Sequence, residues 1–290
     1  MSERIRTLVY YVSFGDKFRE MTLQSIDTLI TVGGYTGDIV VLTDTDSFKC
    51  PADVRIINCA TLVEQRVPFI AEKHSFRYYS NIKGFITDTV DIGEYDVVLY
   101  LDSDVLINRC INETLKRCFE ESVIITQEDS TKVCGDSTKA TNGGDVLDQE
   151  GLRYLHGRGF CAGVVLVPGR FFNVLTLWHQ KNIGENMMKC DQGNLHWVFA
   201  RLRLLPDIRT TAACPGGGDV GKKVFLHYWC NDVTGFKAKY RELTLGFFRR
   251  TLVSIPRRAP PCPRFGRGGI RYGARNKGLS TPGTSAETPR

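Results

Sequence analysis

Asp102 and Asp104 stand one residue apart where an apolar run ends: Tyr95-Asp96-Val97-Val98-Leu99-Tyr100-Leu101 leads straight into Asp102-Ser103-Asp104. β-Branched and aromatic residues in such a run read as a buried strand. Burying one unpaired carboxylate is costly, and two close together repel. A divalent cation offsets both costs, and hard oxygen ligands suit Mg2+ or Mn2+. The crevice beyond the carboxyl ends of strands is also where open α/β sheets take their ligands. The pattern predicts a cation that carries a phosphate-bearing substrate. A solvated turn is the plain alternative for a bare Asp-x-Asp, and the apolar strand in front of it argues against that reading.

The elements that must hold these carboxylates alternate between strand and helix patterns. Strands are predicted at 7–13, 38–43, 54–59, 95–101, 123–126, 164–167 and 224–229, with a short apolar run at 105–107. Helical periodicity falls at 18–32, 75–90, 112–119 and 170–181, and a further helix starts near Asp191. Gly33-Gly34 closes the first helix. Such alternation predicts an α/β fold with a mostly parallel central sheet flanked by helices. Residues 132–151 are polar, rich in Gly and Asp, and read as one long loop.

The 290 residues are enough for one large α/β domain, and the apolar content of 42% with 24% charged residues is ordinary for a globular chain. The net charge of +6 is unevenly spread. From Ile255 to Arg290 there are seven Arg and one Lys against one Glu, or +7, which leaves residues 1–254 near −1. The folded part is therefore not basic, and no specific nucleic-acid partner is implied. Residues 255–290, rich in Pro, Gly and Arg, are expected to form a disordered basic tail behind a domain over 1–254. At most this tail would make peripheral membrane contact. The first residues lack a signal-peptide pattern, and no run of about 18 apolar residues occurs. The ten cysteines form no Cys-x-x-Cys pair. A cytoplasmic setting is expected. Neither a Gly-x-Gly-x-x-Gly turn nor a Walker lysine follows the first strand, which sets aside dinucleotide and P-loop chemistry. No Gly-x-Ser-x-Gly elbow supports a serine hydrolase.

Three more segments join the paired aspartates in a recognisable order. The stretch from Tyr95 to Leu106 resembles the Tyr-Asp-Lys-Val-Leu-Tyr-Leu-Asp-x-Asp signature of glycosyltransferase family 8, the retaining enzymes that include glycogenin and the lipopolysaccharide galactosyltransferases. Phe160-Cys161-Ala162-Gly163-Val164 is similar to that family's Phe-Asn-Ala-Gly-Val. Asp191-Gln192 falls where the family has Asp-Gln-Asp at a helix start, and His227-Tyr228 resembles its His-Phe or His-Tyr at a final strand. Lys237 resembles its downstream lysine. The resemblance covers roughly residues 5–245 and implies the GT-A fold.

The resemblance implies roles for these residues. Asp102, Asp104 and His227 would hold one Mn2+ or Mg2+ bound to a UDP-sugar, and an imidazole beside two carboxylates leans toward Mn2+. Lys83 or Arg77 would face the diphosphate or the sugar as a point charge. Val12, Ser13 and Phe18 would line the uracil and ribose, with Ser103, Ala162 and Lys237 also on the donor side. Asp191 and Gln192 would contact sugar hydroxyls near the anomeric carbon. The activity implied is transfer of a hexose, with retention, to a hydroxyl of a glycan, protein or lipid. Cys161 stands where the family has an Asn that helps to hold the donor sugar, and Gly193 stands for the second Asp of Asp-Gln-Asp. His227, Gly235 and Lys237 stretch the family's His-x-x-Gly-x-x-Lys spacing. These departures keep open a catalytically silent sugar-nucleotide binder, and a similar sheet would also serve a nucleotidyltransferase.

Overall fold

In this computed structural model the described residues are 5–51, 53–67, 81–129, 149–155, 159–184, 191–208, 212–213, 220–228 and 232–253. The chain divides into two units, 1–252 and 253–290, and of the second only Val253 is among the described residues. The tail expected at 255–290 and most of the loop expected at 132–151 thus lie outside them.

In chain order the elements are β1 (Thr7–Ser13), α1 (Asp16–Thr31), β2 (Asp38–Thr43), β3 (Val54–Asn58), α2 (Ala60–Arg66), α3 (Ile86–Thr89), β4 (Val97–Leu101) and β5 (Val105–Ile107). They continue with α4 (Asn112–Glu120), β6 (Ile125–Asp129), α5 (Gln149–Tyr154), β7 (Gly159–Pro168), α6 (Asn173–Ile183), α7 (Asp191–Leu202), β8 (Ala212–Ala213), β9 (Phe225–His227) and α8 (Val233–Val253). A 3-10 turn, Lys83–Phe85, leads into α3.

Six strands form the main sheet in the order β3-β2-β1-β4-β7-β6. β1, β2, β3 and β4 run parallel, and β7 is antiparallel to both of its neighbours. The α/β fold with a mostly parallel sheet is therefore as expected. From β1 the chain moves outward to β2 and β3, then returns to place β4 on the other side of β1. Strand order reverses between β1 and β4, which makes their carboxyl ends the switch point where such sheets open a crevice. Asp102 follows immediately after β4, and Ser13 ends β1.

Side-chain alternation along the strands divides the core between the two faces of this sheet. Leu8, Tyr10, Val98 and Tyr100 pack with Trp178 of α6 and Phe199 of α7. Val9, Tyr11, Leu99 and Leu101 pack with Ile26 and Leu29 of α1 and Leu115 of α4. Both faces are covered, so β1 and β4 read as unbroken apolar runs.

The short run at 105–107 belongs to a second sheet, β5-β9-β8, in which β5 and β9 are antiparallel and Val105 faces His227. That register is what delivers His227 to the aspartates. α8 covers this sheet through Phe236 and Leu243, which cluster with Met21, Leu106, Leu226 and Tyr228. α8 is not among the elements predicted above, although Phe236, Tyr240 and Leu243 have helical spacing. β7 begins at Gly159, ahead of the strand predicted at 164–167. Of the helix expected at 75–90, the described part is the 3-10 turn followed by α3. No helix among the described residues is long and apolar enough to cross a membrane.

Two predictions follow from how the Lys83 turn is seated. A Cβ on Gly84 would lie 2.5 Å from His179 Cβ and 2.6 Å from His179 Cα on α6. Gly84→Ala is expected to cost about 1–3 kcal/mol of stability, read as a lower urea midpoint at unchanged slope. His179 itself is buried, with Nε2 3.1 Å from Asp88 Oδ2. Burial lowers its pKa, and Asp88 offsets this only in part. The folded protein thus favours the neutral ring, while the unfolded chain takes up its proton first as pH falls below about 6.5. Stability should drop from pH 7.5 to pH 5.5 more steeply in the wild type than in His179→Gln. Equal slopes would show that His179 titrates alike in both states.

Candidate active site

β4 ends at Leu101 and the chain turns at once, with the Val105 N–H donating to the Asp102 carbonyl at 3.1 Å. This turn presents Asp102 and Asp104 on the same side, and the Tyr228 N–H donates to the Asp104 carbonyl at 3.0 Å. One ligand atom from each of Asp102, Asp104 and His227 lies within 4.8 Å of the other two. His227 Nε2 is 3.2 Å from Asp104 Oδ1 and 3.7 Å from Asp102 Oδ2. The three residues predicted as cation ligands are thus brought together by strand pairing, although 123 positions separate Asp104 from His227.

Lys83 enters from the 3-10 turn and lies between two carboxylates. Its Nζ is 2.8 Å from Asp102 Oδ1 and 2.8 Å from Asp191 Oδ2. It also stands 5.2 Å from the centre of the Tyr100 ring, and the Tyr100 hydroxyl donates to Asp102 Oδ1. Asp191 is buried at the start of α7, where its carbonyl accepts from Trp178 Nε1 at 2.9 Å. Gln192 follows it, half-buried. Arg77, the rival for the Lys83 role, lies outside the described residues.

The charges explain the proton affinities. Burial works against an ammonium at Lys83, but Asp102 and Asp191 outweigh it and hold the pKa well above the ordinary lysine range. Burial likewise disfavours an imidazolium at His227, but Asp104 and Cys161 together outweigh it and raise that pKa well above the usual histidine range. Burial raises the Asp102 carboxyl; Lys83 pulls it down and Asp104 pushes it up. Three carboxylates thus face one ammonium and one imidazole. With the imidazole neutral, two negative charges are left over in a mostly buried cluster.

That excess, two carboxylates beside an imidazole, is a donor set that fits Mn2+ or Mg2+. Gly163 lets His227 and Asp102 lie close against β7. A Cβ there would lie 2.3 Å from His227 Cε1 and 2.9 Å from Asp102 Oδ2. Thr126 on β6 faces Val165 on β7, but the next residue, Gln127, faces Cys161, so residues 162–164 of β7 have no partner in β6. An irregularity of this kind re-aims groups beside a site. Here the Gly163 carbonyl accepts from the Asp102 N–H at 2.8 Å, and the Ala162 carbonyl stands 3.5 Å from Lys83 Nζ.

Other predicted residues fall around this centre in different ways. Ser13 and Ser103 are buried, and both hydroxyls are 2.9 Å from Thr22 Oγ1. Ser103 Oγ also donates to the Val12 carbonyl at 3.2 Å. Their side chains therefore brace the ends of β1 and β4 against α1. Phe18 is half-buried on the first turn of α1, with Lys17 Nζ 5.8 Å from its ring centre. Lys237 on α8 pairs with Glu20 at 2.7 Å and is not brought to the aspartates. Cys161 is buried with its thiol 3.5 Å from His227 Nδ1, so it packs beneath the imidazole. Gln127 and Tyr100 were not assigned roles from the sequence. Gln127 falls just past the strand predicted at 123–126 and before Glu128 and Asp129, so no pattern in the sequence marks it.

The sheet order and the placing of the acidic turn define a GT-A fold, the fold of solved glycosyltransferases. Among solved structures, the apo form of the bifunctional glycosyltransferase WbbM matches 86% of this chain with a TM-score of 0.59 and 15% identity. The chain spans about half of that larger protein, 52% of its length. The galactosyltransferase LgtC, solved with donor and acceptor sugar analogs, matches 82% of this chain and 95% of its own, with a TM-score of 0.54 and 15% identity. No protein-family model and no curated protein matches the sequence.

Gly163 supplies the sharpest local test. Gly163→Ala should leave the fold intact by circular dichroism while pushing His227 or Asp102 aside. We expect Mn2+ affinity, measured by isothermal titration calorimetry, to fall about 10–100-fold, the usual cost of disturbing what supports a ligand set. Unchanged affinity would mean that the cluster does not hold the ion.

Proposed function

We propose that this protein is a metal-dependent glycosyltransferase that moves a hexose from a UDP-sugar to an acceptor hydroxyl with retention of configuration. The observation that carries the reading is the meeting of Asp102, Asp104 and His227 within 4.8 Å at the switch point of this fold. Mn2+ or Mg2+ held there would neutralise charge developing on the departing diphosphate. The LgtC complex with donor and acceptor analogs supports the choice of substrate class.

The chain's own groups divide the remaining work. Lys83 is poised to turn its ammonium from Asp102 toward the diphosphate as the donor enters. Asp191 accepts hydrogen bonds from sugar hydroxyls while still paired with Lys83, and Gln192 offers an amide at the opening of α7. The bond from the anomeric carbon to UDP breaks, and the bond to the acceptor oxygen forms on the same face. The acceptor's proton passes to the leaving diphosphate oxygen. A double displacement would need a free carboxylate nucleophile. Asp191 is poorly suited to that role, because an ammonium 2.8 Å away stabilises its charge.

The test is release of UDP from a panel of UDP-hexoses with Mn2+, compared between wild type and Asp104→Ala. Wild-type turnover is expected to stop on chelation, and the variant should lose at least about 100-fold in rate, since the charge stabilisation it removes is typically worth that much. The variant should still fold, because deleting one of two facing carboxylates relieves repulsion when the ion is absent. Pyrophosphate released from a nucleoside triphosphate would favour the nucleotidyltransferase reading instead. Donor binding without turnover would favour a silent binder.

A further inference from the structure

We propose that Gln127 is the positioning residue that fixes His227 for cation binding: its amide oxygen accepts a hydrogen bond from Nδ1–H, which keeps the proton on Nδ1 and directs the Nε2 lone pair toward Asp102 and Asp104. The inference rests on the reading of these three residues as a cation site, and it assigns a role to a side chain outside the ligand set.

Gln127 Oε1 lies 2.9 Å from His227 Nδ1, and both side chains are buried. The other ring nitrogen, Nε2, is the one that faces the carboxylates, at 3.2 Å from Asp104 and 3.7 Å from Asp102. A neutral imidazole has one N–H and one lone pair, so a ring that ligates through Nε2 must carry its proton on Nδ1. That proton then needs an acceptor inside the protein. The Gln127 oxygen lies within reach, and so does the Cys161 sulfur at 3.5 Å. A thiol sulfur is a weak acceptor, whereas an amide oxygen is a good one. The same geometry fixes the orientation of the amide. Turning its NH2 toward Nδ1–H would set donor against donor, so the oxygen must face the ring whenever Nε2 is a ligand.

The backbone explains why a glutamine at this position can do this. Gln127 is the residue at which β6 and β7 change register, which brings it opposite Cys161 rather than further along β7. With residues 162–164 unpaired in β6, Gly163 lies directly against the His227 ring. The imidazole is thus contacted by Gly163 and held at Nδ1 by Gln127, with Nε2 turned toward Asp102 and Asp104. Partners of this type orient a ligating ring and raise its basicity, and losing one costs about 10–100-fold in metal affinity.

Two variants test the proposal, with Mn2+ as the probe and the free ion measured by electron paramagnetic resonance. Gln127→Met keeps the length of the side chain and removes the acceptor, and its Mn2+ affinity should fall by about 10–100-fold. Gln127→Glu keeps an acceptor, so its affinity should equal or exceed that of the wild type. Rescue by the carboxylate separates positioning from packing, because both variants alter packing and only one removes the acceptor. Thermal melts identify which variants fold. If Gln127→Met does not fold, Gln127→Glu decides alone: loss of tenfold or more in the folded variant overturns the proposal. Equal affinity of folded Gln127→Met and wild type also overturns it, while leaving the cation site intact. Absence of Mn2+ binding by the wild type would instead overturn the cation site itself, and this inference with it.

Discussion

The structure depends on one electrostatic constraint: three aspartates converge at the edge of a sheet whose interior is apolar. Asp102 and Asp104 have only Ser103 between them and cannot be separated, and α7 adds Asp191 from much later in the chain. Left alone these charges would repel in a low-dielectric setting. Lys83 offsets part of the repulsion by pairing with two of them at once, and a protonated His227 offsets more. Both basic groups consequently hold their protons tightly. In the proposed function a divalent cation would replace that proton, and its binding would then depend on the charge state of the site.

Much of the surrounding architecture serves to keep these groups at close range. β4 carries the two aspartates out of the core, and its neighbours on both faces fix its position. The antiparallel pairing of β5 with β9 supplies His227, and the register change between β6 and β7 supplies the Gly163 gap and Gln127. Trp178 joins the two halves of the site: its indole N–H bonds to the Asp191 carbonyl while its ring meets Tyr100 edge-on. A shift of any one of these elements is felt at the same cluster, since Asp104, Asp191, Lys83 and His227 are buried and only Asp102 is partly exposed.

The fold was legible because its signals are local. Apolar runs such as 7–13 and 38–43 fall in the structure where the pattern placed them, and the Asp-x-Asp falls at the carboxyl end of β4. His227 was legible only through the family resemblance, since no spacing rule connects a histidine with aspartates more than a hundred residues away. What brings them together is the β5–β9 register, a long-range property. The role of Gln127 was hidden for the same reason, as was the strand start at Gly159: a register change depends on which strands meet, and periodicity within one strand does not report it. Ser13 and Ser103 show the converse. Their types suit a nucleotide site, but the approach of α1 directs both hydroxyls to Thr22.

Anomalous diffraction from crystals grown with Mn2+ and UDP would test the central claim most directly. The account predicts one manganese peak coordinated by carboxylate oxygens of Asp102 and Asp104 and by Nε2 of His227, with the diphosphate bound to the same ion. A peak at other residues, or bound UDP with no manganese between it and these aspartates, would contradict it.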